Sequence, residues 1–370
     1  QDTALRIFST LNDRGKPLSD SDIFKAQFYK YYSQKGQKKD FIERWKQLEE
    51  LCSKIYHPIA GTPMDEAFTR YMYYERALQK NTSSTTEALR KFYENDGYSL
   101  LKKEQTFENL KILADFWNDV SNQDKERFSE KVLQRLFVLN YAPNGMWYYF
   151  TSVYFMHNKD DNNLLDDEKF CAFLNKITAF IWAYAITNPG VNALRSPVYK
   201  EMVNIVEGKN IDFSDYIFEK ERLTTLLDTY LFSNIRPITK SMLAWWAFNN
   251  TNQELLPIEL PLEIEHIFAR NRQEIENSLE NKQNLESLGN KSLLEKRINI
   301  RVSDYKFEAK KKYYIGFTTD KNQIKIGTKI FELIKLAKEK SDFTEMDIIN
   351  RTKVILEGFI SFLADNGLLK

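Results

Sequence analysis

The sequence predicts a mainly α protein: an irregular multi-helix bundle with one small strand-loop-strand-helix unit embedded in it. Three observations lead there. Segment after segment carries apolar residues at the three- and four-residue spacing of an amphipathic helix. One stretch alone, residues 257–316, switches to the alternation of a strand. A 370-residue chain that is 42% hydrophobic and 14% aromatic has ample material for cores, roughly two domains' worth.

In chain order, residues 12–17 (Asn-Asp-Arg-Gly-Lys-Pro) form a turn signal. Ser19 and Asp22 then stand at capping-box spacing ahead of an amphipathic run. Helical patterns follow in FIERWKQLEELCSKIY, DEAFTRYMYYERALQK, TEALRKFYE, TFENLKILADFWNDV and KERFSEKVLQRLFVL, with the polar break NTSSTT at 81–86 among them. No fixed period links these segments, so a solenoid is not expected. GMWYYFTSVYFM and KFCAFLNKITAFIWAYAIT, joined by an acidic link at 157–168, are the most apolar helices. The run at 177–187 falls short of the ~20 apolar residues that cross a bilayer and reads as a buried helix. After the break at 188–190, helices are expected near SPVYKEMVNIV, EKERLTTLLDTYLF and ITKSMLAWWAFNN. Beyond Gly316, a polar turn TTDKNQ precedes a helix KIFELIKLAKEK, and Thr344 with Asp347 caps a long final helix.

Charge and cysteine content exclude several classes. The 53 Lys and Arg nearly cancel the 52 Asp and Glu, so no global field marks a polyanionic partner. The local balance differs. Residues 291–316 hold Lys291, Lys296, Arg297, Arg301, Lys306, Lys310, Lys311 and Lys312 against Glu295, Asp304 and Glu308. Cys52 and Cys171 are too few for a disulfide framework and have no C-x-x-C partner, which excludes a zinc finger and makes a reducing cytoplasm the expectation. No membrane partner is expected, and a homo-oligomer is compatible with the sequence.

In the stretch 257–316, LEIEHIFAR alternates Leu262, Ile264 and His266 against Glu263 and Glu265, a short strand that sets an acid beside a histidine. KSLLEK, after Gly289 and Asn290, is a second strand. DYKFEAKKKYY, opened by Ser303, is spaced as a helix with Tyr305, Ala309 and Tyr313 along one side. Such residues suit phosphodiester hydrolysis, which needs a base for water and a cation for the developing phosphate charge. A neutral histidine serves as the base. Glu265 and the amide oxygen of Asn299 are hard ligands of the kind Mg²⁺ prefers. Asn290 sits where its amide can bond across to the backbone carrying His266 and aim it.

EIEHIFAR, LGNKSLL and NIRVSDYKFEAKK, in this order, resemble the HNH (His-Me finger, ββα-metal) nuclease superfamily. More specifically, they resemble the C-terminal nuclease domain of GmrSD-type, modification-dependent type IV restriction proteins. IFSTLNDRGKPLSDSDIFKAQ resembles the end of that family's N-terminal ParB/sulfiredoxin-like NTPase domain. The motif of Asp-Gly-Gln-Gln-Arg type through which that domain hydrolyses nucleotide is absent here, so the resemblance implies that most of it lies upstream of Gln1. The expected organisation is residues 1–35 as the end of that domain, 36–250 as a helical domain, and 251–370 as the nuclease-like domain with helices packing back on the bundle.

Carried over residue by residue, the resemblance makes His266 the general base and Asn290 the central Asn of the motif. Glu265 and Asn299 become the metal side for Mg²⁺ or Mn²⁺, and Lys310 a phosphate contact. Lys306, Lys310, Lys311 and Arg301 are expected to face DNA. The family's usual Pro three residues after the histidine is Ala269. Nucleotide would enter only through the upstream domain. Plainer readings stand beside these. His57 and His157 lack motif partners and read as structural or solvated, Asn290 as a turn residue, and Lys310–Lys312 as a solvated face. Trp147, Trp245, Trp246 and the 180–184 aromatics read as core rather than as base-stacking platforms. Three functions therefore stay open: a Mg²⁺-dependent DNA endonuclease in defence against foreign or modified DNA, a non-catalytic DNA- or protein-binding fragment, and a nuclease acting on RNA.

Overall fold

A computed structural model describes residues 18–303 and 306–370. The turn signal at 12–17 lies outside the described residues, as do Asp304 and Tyr305. Among the described residues there are sixteen α-helices and four short strands, so the protein is mainly helical. In order they are α1 (Asp20–Gln34), α2 (Lys38–Ile55), α3 (Pro63–Leu78), α4 (Leu89–Tyr98), α5 (Glu104–Ser121), α6 (Glu130–Leu139), α7 (Met146–Asn158), α8 (Asp167–Thr187), α9 (Arg195–Val206), α10 (Lys220–Thr229) and α11 (Pro237–Phe248). Then come β1 (Leu262–His266), α12 (Arg270–Glu276), β2 (Lys291–Glu295), α13 (Lys296–Val302), α14 (Phe307–Ile315), β3 (Gly316–Thr318), β4 (Ile324–Ile326), α15 (Phe331–Glu339) and α16 (Glu345–Asp365).

Local chemistry sets several boundaries. The Ser19 and Thr344 hydroxyls accept from the amides of Asp22 and Asp347, whose carboxylates accept in return, so both expected capping boxes form. A third box, Thr62 with Asp65, starts α3 behind Pro63. Ser129 caps α6, which leaves the KERFS portion of its helical pattern outside the helix.

Contacts divide the chain into two units. Of the described residues, the first comprises 18–127, 148–166 and 195–211; the second comprises 128–147, 167–194 and the remainder from 212 onward. The first unit is built on aromatic packing. Tyr32 stacks on Phe41 at 5.0 Å, and Trp45 on Phe107 at 6.2 Å. Buried Arg70 places its guanidinium 4.5, 4.4 and 4.5 Å from the rings of Tyr56, Trp117 and Tyr148, and its Nε donates to Glu66 at 2.8 Å. Three ring faces and one carboxylate compensate a cation that could not otherwise leave water.

In the second unit, α8 packs against α6, α10, α11 and α16. Among the described residues it is the one helix long and apolar enough to cross a membrane, but 72% of its apolar window is buried inside the protein. It is a core helix, and its Phe180 and Trp182 are fully buried. Trp245 is buried against Phe359 and Phe362, and Trp147 is buried as well, as expected of core residues, whereas Trp246 is half-buried and its indole N–H donates to Glu332 at 2.9 Å. β1 and β2 pair antiparallel with Glu265 opposite Ser292 and His266 opposite Lys291, and β2 lies on α11.

Two features differ from the sequence reading. Ser303 does not open a helix. With φ at 46° it closes α13, and the next helix begins at Phe307. The buried side of α14 is Phe307, Lys310 and Tyr314, not the Ala309 and Tyr313 side. The residue that rotates the helix is Lys310, which is drawn inward by an acid on β1. The stretch read as a polar turn after Gly316 is also more ordered than expected, since Phe317 pairs with Lys325 in a β3–β4 hairpin.

Candidate active site

Every residue of β2 is buried, including Lys291, Ser292 and Glu295. Polar groups in such a position must be bonded, and they are. Lys291 Nζ donates to Glu286 Oε2 at 2.6 Å and to the Phe232 carbonyl at 2.5 Å. Ser292 Oγ donates to Glu332 at 2.5 Å, and Glu295 accepts from the Thr328 hydroxyl at 2.5 Å and the Lys329 amide at 2.6 Å.

Asn290 is fully buried at the turn entering β2. Its Oδ1 accepts from the Phe268 amide at 2.7 Å, and its Nδ2 donates to the carbonyls of Phe268 and Leu285, both at 3.1 Å. Its own carbonyl accepts from the Ile267 amide at 2.8 Å. One side chain thus fixes the backbone just after His266. Neighbouring Gly289 is required by close approach: a Cβ there would stand 2.0 Å from the Ile348 carbonyl of α16. Arg351, also on α16, donates to the carbonyls of Leu288, Gly289 and Lys291 at 3.0, 2.9 and 2.7 Å, and to Glu332 at 2.7 Å.

His266 ends β1 with 13% of its side chain exposed. Its Nε2 lies 3.7 Å from Glu286 Oε1 and is buried without a hydrogen-bond partner. Burial, with the cations Lys291 and Arg270 beside it, lowers its pKa to about 4 against the opposing pull of Glu286. The imidazole is therefore neutral near pH 7, the form able to take a proton. Glu286 carries most of the local charge: it accepts from Arg270 at 2.6 Å as well as from Lys291. Burial opposes its ionisation, yet the bond from Lys291 and the two cations together hold its carboxyl below the ordinary range.

Glu265 faces α14. Its Oε1 accepts from Lys310 Nζ at 2.6 Å and from the Tyr314 hydroxyl at 2.7 Å, and Lys310 also donates to the His266 carbonyl at 2.6 Å. Acid and base are 5% and 1% exposed. Burial and the adjacent carboxylate push the Tyr314 phenol well up, so it remains a donor. Asn299 stands apart from this group: it is half-buried on α13 and donates to Glu263 at 3.3 Å.

The structure thus joins Glu265 to Lys310 and Asn290 to the backbone following His266, whereas the Asn299 amide turns to Glu263. A bound Mg²⁺ needs several hard oxygens converging on one point. Among the described residues no three His, Cys, Asp or Glu side chains gather in that way. The Glu265 oxygen already answers an ammonium, which would repel a second cation. As placed, these side chains do not fit the ion. Of the expected DNA-facing residues, Arg301 is exposed, Lys311 is half-buried, and Lys306 is paired with Glu276 at 2.5 Å. Lys310 lies within the protein. Sequence reasoning missed Glu286, Tyr314, Glu332 and Arg351, because each reaches the site from a separate element and none shares a motif spacing with His266.

The remaining histidines, His57 and His157, are exposed. No curated protein matches the chain. The stretch that holds this arrangement nevertheless has a family likeness: residues 211–357, less than half of the chain, match the family model for GmrSD restriction endonucleases, C-terminal domain.

Proposed function

We propose that this protein is a DNA endonuclease of the HNH type, hydrolysing phosphodiester bonds in defence against foreign or modified DNA within a reducing cytoplasm. The observation that carries the reading is His266. It is a neutral, mostly sheltered imidazole at a strand end whose following backbone is pinned by a buried asparagine, inside the segment matched by a restriction-endonuclease family. In this reading His266 takes the proton of the attacking water. Glu286, 3.7 Å away, sets the negative charge facing the ring, and Asn290 holds the loop. The exposed cations Arg301 and Lys312 receive the phosphate backbone.

A requirement for Mg²⁺ or Mn²⁺ enters the proposal through the resemblance alone, since Glu265 and Asn299 as placed do not converge on an ion. The test is nicking of supercoiled plasmid with and without EDTA. Parent protein is expected to cut, and His266→Ala to stop cutting while its fold is unchanged. Cutting that survives this substitution overturns the assignment of the base.

A second reading is favoured by one observation, the sealing of Glu265 by Lys310 and Tyr314. In that reading the chain binds DNA or protein without catalysis. Calorimetry that shows no divalent-ion site dependent on Glu265 or Asn299, together with intact plasmid, would decide for it.

A further inference from the structure

The β3–β4 hairpin is the feature that the proposed chemistry leaves unused. It follows α14 without a linker, so it is carried by the same helix that contacts β1 through Lys310. Its inner face is anchored: Phe317 meets Tyr313 at 5.2 Å, and Lys312 Nζ lies 5.2 and 5.3 Å from those two rings. Its outer face is bare. Pairing of Thr318 with Ile324 and of Gly316 with Ile326 puts both isoleucines on that face, where they are 78% and 77% exposed. Two large β-branched side chains held side by side in water ask for a covering surface.

Charge selects what covers them. Lys321 and Lys325 lie in the hairpin and Lys312 at its base, against Asp320 alone in the hairpin, and none of the three lysines is in an ion pair among the described residues. A second copy docking hairpin to hairpin would bring like charges together, which is how natural edge strands avoid such pairing. A polyanion meets no such repulsion. A two-stranded ribbon also fits the major groove of B-DNA, about 12 Å wide. Apolar side chains there touch thymine methyl groups, and flanking cations reach phosphates.

We propose that the β3–β4 hairpin is a DNA-gripping ribbon. Ile324 and Ile326 seat in a groove of duplex DNA, Lys321 at the turn bonds a phosphate beside it, and the long side chains of Lys312 and Lys325, which stand on the Phe317 face, reach round the edge of the ribbon to further phosphates. This rests on the endonuclease reading for its partner, but not on the identity of the catalytic base.

The experiment measures fluorescence anisotropy of a labelled DNA duplex with the full chain in EDTA, across a series of salt concentrations. Ile324→Ser with Ile326→Ser is expected to weaken binding about tenfold at unchanged salt slope, since no phosphate contact is lost. Lys321→Ala with Lys325→Ala is expected to reduce the slope of log affinity against log salt by about 2. All four positions are at the surface, so melting temperature should hold. Both variants binding within about twofold of parent would overturn the proposal, as would a parent that binds no duplex or variants that change only self-association. His266→Ala run in parallel separates the two readings. If it still cuts plasmid, the base assignment fails and the hairpin result stands; if the hairpin variants bind normally while His266→Ala is inert, only the hairpin proposal falls.

Discussion

The second unit contains two antiparallel strand pairs of opposite character. In β1–β2 every residue of β2 is buried, and its polar side chains are spent on internal partners such as Glu286, Glu332 and Thr328. In β3–β4 the two isoleucines are exposed, and among the described residues the lysines have no ionic partner. The first inverts the usual pattern by burying charge, the second by exposing hydrocarbon. Buried charges are costly unless each is paired, so β1–β2 is a rigid, over-determined frame that holds His266. Exposed isoleucines contribute little to folding, so the outer face of β3–β4 is left open to a partner. A fixed centre and an open contact face are a division of labour that suits the proposed endonuclease.

The contrast can be broken by substitution. The largest effect belongs to the buried pair: Lys310→Met leaves the Glu265 carboxylate buried without its ammonium, and should cost about 3–5 kcal/mol in urea unfolding. Adding Glu265→Leu should recover much of that loss; if the double variant is no more stable than the single, the pair is not what anchors α14. Acid should act next. The unfolded chain protonates His266 near its ordinary pKa of 6.5, whereas the folded chain resists until about pH 4. Stability from this group is therefore full above pH 6.5 and is lost as pH falls through that window, on the order of 3 kcal/mol. His266→Gln should flatten that part of the urea-stability profile, and a profile unchanged by the substitution would contradict a neutral buried imidazole. Asn290→Ala should cost about 2–3 kcal/mol by stranding the Phe268 amide and the carbonyls of Phe268 and Leu285. The smallest effect is expected at the other hairpin, where Ile324→Thr should stay within about 0.5 kcal/mol of parent in thermal melting. A large loss there would mean that Ile324 is packed and would remove the contrast.

Helices were legible to the extent that their signals are local. Ser19 with Asp22 and Thr344 with Asp347 announce helix starts through atoms three residues apart, and both boxes form. The polar break at 81–86 and the acidic link after α7 are loops, as their composition implies. The short elements were harder. α12 and α13, of seven residues each, carry too little periodicity to register, and IKI in β4 is a strand only because GFT in β3 pairs with it. In the site, the placing of Asn290 against the backbone after His266 follows from a turn next to a strand. The partners Glu286 and Tyr314 follow from nothing local, since one comes from a 3-10 turn and the other from a helix beyond β2.

By itself the sequence determined a mainly helical protein, the capped helix starts, the apolar helices that become core, and one stretch where Glu265, His266 and Asn290 stand in strand and turn. These follow from spacing along the chain, which needs no knowledge of what packs on what. Only the tertiary structure decided where the charges point. Lys310 belongs by sequence to a basic run, yet it is 1% exposed because an ammonium that meets a carboxylate and a carbonyl inside the protein can give up its water. Ile324 and Ile326 flank Lys325 after a stretch read as a polar turn, yet pairing with β3 makes them one face of a ribbon, and they face outward because Phe317, on the opposite face, is the side chain that finds a partner in Tyr313. Spacing fixes which side chains share a face; only packing chooses which face is inside.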